Sequence, residues 1–241
     1  MIFDSMKGLV VGLLCLVLGL AAVPAAVPAH ADAWEDSMRA GGQAYNKGDY
    51  PEAERNFRAG VDEAEKFGPE DQRLAVALTN LAGIYQIQGK YDEAEPLLTR
   101  SLAIWEKTVG PEHPRVAATL NNLAAIYQVK GEYAEAEGLS KRALAIMEKA
   151  GGPDHPNVAT VLNNLGLLYL EEGKYAEAES AFQRSLAVLE KTLGPEHPAV
   201  AQNLGNYAKL LDRTGRETEA AEMRARAEAI LAKQNRGRGG G

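Results

Sequence analysis

The chain has 241 residues, is 46% hydrophobic and 24% charged, and carries a formal net charge of −7. An acidic balance argues against nucleic acid or an anionic membrane surface as the partner, because both favour a basic face. The single cysteine, Cys15, excludes a disulfide framework.

The first segment reads as a leader. Lys7 precedes an apolar run from Gly8 to Val23, Pro24 breaks it, and Ala29-His30-Ala31 supplies a small-x-small cleavage pattern. Residues 1–31 are therefore expected to be a signal peptide cut after Ala31, which places the mature protein in the periplasm of a bacterium or outside the cell. About 16 apolar residues fall short of the roughly 20 that span a bilayer, although retention as an anchor is the alternative. Asp4 is unusual in such a leader, and Met6-Lys7 would make a more ordinary start. Cleavage would remove Cys15 and leave no thiol for redox chemistry.

From Gly68 onward a turn segment returns every 42 residues: Gly68-Pro69-Glu70, Gly110-Pro111-Glu112-His113-Pro114, Gly152-Pro153-Asp154-His155-Pro156 and Gly194-Pro195-Glu196-His197-Pro198. A fixed period of this size marks stacked supersecondary units that cannot bury their apolar faces alone. Between the turns lie two helical patterns. Val116, Leu120, Leu123, Ile126 and Tyr127 make an apolar stripe on a first helix, which Gly131 ends. Tyr133 starts a second, with Ala136, Leu139, Ala143, Leu144 and Met147 as its stripe and Glu135 and Glu137 in its first turn, where the helix dipole favours negative charge. Two columns of small residues, Ala82/Ala124/Gly166/Ala208 and Ala94/Ala136/Ala178/Ala220, mark where helices must approach closely.

These residues carry a family resemblance. Thr119-Leu-Asn-Asn-Leu-Ala-Ala-Ile-Tyr127, Gly131-Glu-Tyr-Ala-Glu-Ala-Glu137, Lys141-Arg-Ala-Leu-Ala-Ile146 and the Gly-Pro-Glu-His-Pro turn resemble the tetratricopeptide repeat in its 42-residue, kinesin-light-chain-like form. The resemblance covers about residues 33–233 and implies an all-α, right-handed α-solenoid of about five helix-turn-helix units, at about 33–67, 68–109, 110–151, 152–193 and 194–233. Residues 234–241 are expected to be a disordered tail. The outer units depart from the pattern. Gly41 stands where a leucine is expected four residues before Tyr45, and Arg224 and Glu228 replace apolar residues of earlier units, as a solenoid cap requires.

Polar columns are the candidate site. Asn80, Asn122, Asn164 and Asn206 recur in register, joined by Asn121 and Asn163. Asparagine in a helix interior costs roughly half a kcal/mol against alanine, and neighbouring columns have drifted (Gly83, Ala125, Leu167; Gln86, Gln128, Leu170) while this one has not. The resemblance implies that the first helices line a concave groove and that these asparagines, taken with Gln86 and Gln128, contact the backbone of an extended peptide. Amides suit that task by offering donors and an acceptor together. The alternative is an asparagine ladder between adjacent repeats. Arg100, Arg142, Arg184 and Arg226 form a second column, suited to an acidic peptide or to intramolecular pairing with glutamates.

His113, His155 and His197 are too far apart along the stack to share a metal and are expected to serve the turns and helix entries. No phosphate loop, activated nucleophile or metal-protease motif occurs, so neither catalysis nor a cofactor is expected. The function expected is an exported protein-protein interaction scaffold that binds an extended segment of a partner. The alternative is an architectural protein that assembles through its convex face or its ends.

Overall fold

The computed structural model describes residues 29–238, so all but the last three residues of the expected leader lie outside it. Ten helices form among the described residues: α1 (Ala29–Asn46), α2 (Tyr50–Glu65), α3 (Gln72–Ile87), α4 (Tyr91–Val109), α5 (Pro114–Lys130), α6 (Tyr133–Gly151), α7 (Pro156–Glu171), α8 (Tyr175–Leu193), α9 (Pro198–Arg213) and α10 (Glu217–Arg238). They make an all-α solenoid of helix hairpins, each pair corresponding to one sequence unit. The chain divides into two compact units, up to Ile126 and from Tyr127 onward. In the first, α1 packs on α2, α2 on α3 and α3 on α4. In the second, α6 packs on α7, α7 on α8, α8 on α9 and α9 on α10, and α7 also touches α9.

Glycine closes each first helix. At Gly173 the backbone takes φ 76°, a region in which a Cβ is strained, and the Lys174 N–H donates to the Tyr169 carbonyl at 2.8 Å, satisfying an end carbonyl of α7. The same bond recurs from Lys90 to Tyr85 at 2.8 Å and from Asp49 to Ala44 at 2.9 Å. Ala44, not Tyr45, is thus the counterpart of Tyr85, and the first unit slides by one residue. Gly41 consequently belongs to the small-residue column rather than replacing a leucine. A Cβ on Gly41 would lie 2.6 Å from the Phe57 ring, just as one on Gly166 would lie 2.6 Å from the Phe182 ring. Glycine on the first helix makes room for phenylalanine on the second, and both rings are fully buried.

The last helix buries Ala220, Ala227 and Ile230 against its neighbours, while Arg224 and Glu228 face solvent. Arg224 bonds Asp212 at 2.6 Å. Helix α10 runs five residues past the boundary expected at 233. Lys233 pairs with Glu196 at 2.7 Å and the Gln234 side chain donates to the Glu196 carbonyl at 3.4 Å, which ties the helix to the turn before α9 and carries it into the segment expected to be a disordered tail.

Candidate functional site

The first helices α3, α5, α7 and α9 each contribute one asparagine of the principal column. Burial is the first thing the structure adds: Asn80 is 3% exposed, Asn122 and Asn206 each 7%, and Asn164 is half-buried. Asn121 and Asn163 are buried as well. Buried amides need partners. In the second unit Asn163 Oδ1 accepts from Asn203 Nδ2 at 3.3 Å and from Asn206 Nδ2 at 3.2 Å, while Lys209 Nζ donates to Asn206 Oδ1 at 3.1 Å. This is a rung between adjacent repeats. Asn203 does not stand out in the repeat pattern, because its column reads Ala77, Thr119, Val161. A lone amide in an otherwise mostly apolar column was the available signal.

In the first unit the column borders a shallow recess between α3 and α5. Val76, Thr79 and Asn80 of α3 face Ala118, Thr119 and Asn122 of α5, with Trp105 and Arg115 closing it. The Arg115 guanidinium lies 4.6 Å from the centre of the Trp105 ring, a cation-π distance. Its walls are mainly apolar and its polar atoms few, and it has room for about one water-sized group. Gln86 is buried, and its amide donates to the Asn122 backbone carbonyl at 3.0 Å, so it binds α3 to α5. Gln128 is half-buried. Trp105 is invisible to the repeat pattern because Met147 and Leu189 occupy its column, and Arg115 recurs only as Arg73, giving way to Asn157 and Ala199 in the later repeats.

The arginine column lies elsewhere. Arg100 pairs with Glu65 at 2.8 Å, Arg184 with Glu148 and Arg226 with Glu190, each linking a second helix to that of the preceding repeat. Arg142 is likewise engaged. A second glutamate column does similar work. Tyr169 Oη donates to Glu137 at 3.2 Å and Lys174 Nζ at 2.9 Å, with Lys141 at 2.6 Å. Lys141 first and Lys174 second pull the Glu137 carboxyl down to about 2. Tyr207 and Arg216 hold Glu179 in the same manner at 2.6 and 2.7 Å and lower it too. Glu137 and Glu179, the last glutamates of their Glu-Ala-Glu segments, are therefore inter-repeat acceptors, a role their position in a first helical turn does not reveal.

Each histidine sits at a helix entry. His155 and His197 are the N-caps of α7 and α9, their Nδ1 accepting from the N–H of Asn157 at 3.1 Å and Ala199 at 3.2 Å. His113 Nδ1 accepts likewise from Arg115 N at 3.1 Å. Among the described residues no group of three or more metal-binding side chains gathers, and no helix is long and apolar enough to cross a membrane.

The family model of the tetratricopeptide repeat matches residues 36–107, 73–128, 115–191 and 169–233. Among solved structures, the chain is similar to a putative kinesin light chain with nearly identical TPR-like repeats from Podosopora anserina. One crystal structure, of a substituted form of that protein, has 27% identity and a TM-score of 0.70 over 87% of this chain and 100% of that one. Another has 29% identity and a TM-score of 0.64 over 86% and 96%. BtubC (BKLC) from P. vanneervenii, at 24% identity, shares the fold with a TM-score of 0.67 over 87% of this chain and 93% of that one. No curated protein sequence matches the chain significantly.

Proposed function

The chain belongs to the tetratricopeptide repeat family, and on that premise we propose that it is an exported, non-enzymatic scaffold that binds an extended segment of a partner protein along its first helices. The fold supports a protein-protein interaction scaffold, and proteins built of this repeat are generally non-catalytic. The observation that carries the finer reading is the recess between α3 and α5, where Asn80 and Asn122 of consecutive repeats border an apolar depression closed by Trp105 and Arg115. The apolar depression gives a partner's side chain a surface to rest on, and the amides at its edge suit the backbone of the same segment. Export rests on the apolar run and small-x-small pattern of residues 8–31.

The architectural alternative has an observation of its own, the Asn163–Asn203–Asn206 rung, which spends column amides on joining repeats. The two readings part under substitution. Affinity capture from the native extracytoplasmic fraction, with wild type beside Asn80→Ala/Asn122→Ala, tests the first: a partner held by the wild type and lost by a normally folded variant supports it, whereas equal capture moves the weight to assembly. Asn163→Ala tests the second. Two amides lose their shared acceptor, and a loss of about 1–3 kcal/mol in urea unfolding is expected.

A further inference from the structure

Four first helices after the first unit begin at one register position, held by Asp71, His113, His155 and His197. All four side chains perform the same act. Asp71 Oδ1 accepts from Arg73 N at 2.9 Å, and the three imidazoles accept through Nδ1 from the N–H two residues on, at 3.1 to 3.2 Å. The chemistry behind that act differs. A carboxylate accepts in every ionised state and brings a negative charge to the positive end of the helix dipole. An imidazole accepts at Nδ1 only while neutral, with its proton on Nε2. Protonation puts a hydrogen on Nδ1, sets two donors face to face, and places a positive charge where the dipole disfavours it.

We propose that the histidine caps make the entries of α5, α7 and α9 pH-sensitive, with the Asp71-capped entry of α3 as an acid-resistant counterpart in the same chain.

Charged groups surround each ring, and most are already engaged. Beside His155 stand Asp154, held by Lys191 of α8, and Lys149 in the last turn of α6, which has its own partner. The ring rests against the end of α6, where a Cβ on Gly151 would lie 2.7 Å from it. Beside His197 stand Glu196, held by Lys233 of α10, and Lys191, already bonded to Asp154. His113 lies between Glu112, which has a partner, and Arg115, which covers the Trp105 ring, with Lys107 of α4 held by Glu70. At Asp71, Arg73 also donates from its guanidinium at 2.9 and 2.8 Å and lowers the carboxyl further. The four entries consequently diverge wherever the imidazoles take up a proton, because the Asp71 cap keeps its acceptor and the histidine caps lose theirs. Acid frays the helices that carry Asn122, Asn164 and Asn206 and leaves the one that carries Asn80.

The test compares thermal unfolding of the wild type with that of His113→Asp/His155→Asp/His197→Asp and of the corresponding triple His→Asn chain, at about pH 7.5 and about pH 5.5. The melting temperature of the wild type is expected to fall by about 3 to 6 °C more than that of either variant. Amide exchange at Asn157 and Ala199 should rise relative to Arg73 over the same interval. Equal falls in all three chains, with no change in relative exchange, overturn the proposal. Should the aspartate chain lack native circular dichroism at about pH 7.5, the asparagine chain, whose cap does not titrate, decides alone.

Discussion

The repeat formed by α3 and α4 and the repeat formed by α7 and α8, 84 residues on, are alike on the outside and different within. Their ion pairs to the preceding repeat recur: Arg100 with Glu65 matches Arg184 with Glu148, and Lys107 with Glu70 matches Lys191 with Asp154. So does the hydroxyl that crosses between hairpin helices, Ser101 to the Ala75 carbonyl at 2.9 Å and Ser185 to the Ala159 carbonyl at 2.7 Å. Inside, residues change in pairs. Ala82 faces the Leu98 column where Gly166 faces Phe182; Thr79 bonds Ser101 at 2.8 Å where Asn163 serves the next repeat. Gln86 ties α3 to α5 where Leu170 makes no such bond. The repeat is thus a constant frame around interior choices that are coupled to one another.

The largest effect is expected where that coupling is tightest. Alanine at Gly166 places a Cβ 2.6 Å from the Phe182 ring, and the ring is fully buried and has nowhere to move. Overpacking of this kind costs about 1–3 kcal/mol, against which the better helix propensity of alanine returns about 1 kcal/mol. A net loss of up to about 2 kcal/mol in urea unfolding is expected. Phe182→Leu alone opens a cavity and should also destabilise, by about 1–2 kcal/mol. Combined, the two substitutions reproduce the Ala82/Leu98 arrangement, so the double variant should be more stable than the sum of the singles predicts. Strict additivity would break the idea that the repeats vary in matched pairs.

A smaller effect is expected at the glutamate that joins each of these repeats to the one before it. Glu54 takes Gln88 at 2.8 Å and Lys90 at 3.3 Å, and Glu137 takes Tyr169 and Lys174 at the equivalent place. Both carboxyls are lowered, Glu137 to about 2. A carboxyl lowered from 4.5 to about 2 on folding contributes stability that is full above pH 4.5 and disappears as the pH falls from there toward 2. Glu137→Gln should therefore lower the urea midpoint near neutral pH and flatten its decline between about pH 5 and about pH 3. The variant still declines through Glu54 and Glu179. An unchanged slope in the variant would show that the Lys141 and Lys174 contacts do not favour the ionised form.

What the sequence made legible follows the same division. The frame was readable because a 42-residue period repeats helix stripes, glycine stops and small columns until chance is excluded, and the glycine turns then place ten helices with little ambiguity. The first unit shows the limit. Anchoring on Tyr45 misplaced Gly41 by one column, and only the Asp49 to Ala44 bond fixed the register. The candidate site was legible as a column but not as a surface, since periodicity says which residues share a face and nothing of how deep they lie. Asn80 and Asn122 border a recess, whereas Asn163 turns to Asn203, a residue whose column is otherwise Ala, Thr and Val. Trp105 completes the recess because it differs from its counterparts, and a search for recurrence passes over such a residue, whereas Arg115 shares its column with Arg73.

The smallest effect should come from the most regular feature. Arg100 and Arg184 hold equivalent glutamates, yet their side chains are 43% and 42% exposed, and ion pairs so open to water contribute about 0–1 kcal/mol. Arg184→Ala and Arg100→Ala are each expected to shift the urea midpoint little, by equal amounts, and less in high salt than in low. Equality is the sharper half of the prediction, because the frame is proposed to be constant from repeat to repeat. A partner with acidic segments that drew on this column would change the outcome in one respect only: binding would weaken with each substitution while stability stayed put. Such a result would move the interaction from the first helices to the second, and would leave the regular outer seam, rather than the varied interior face, as the surface that meets the partner.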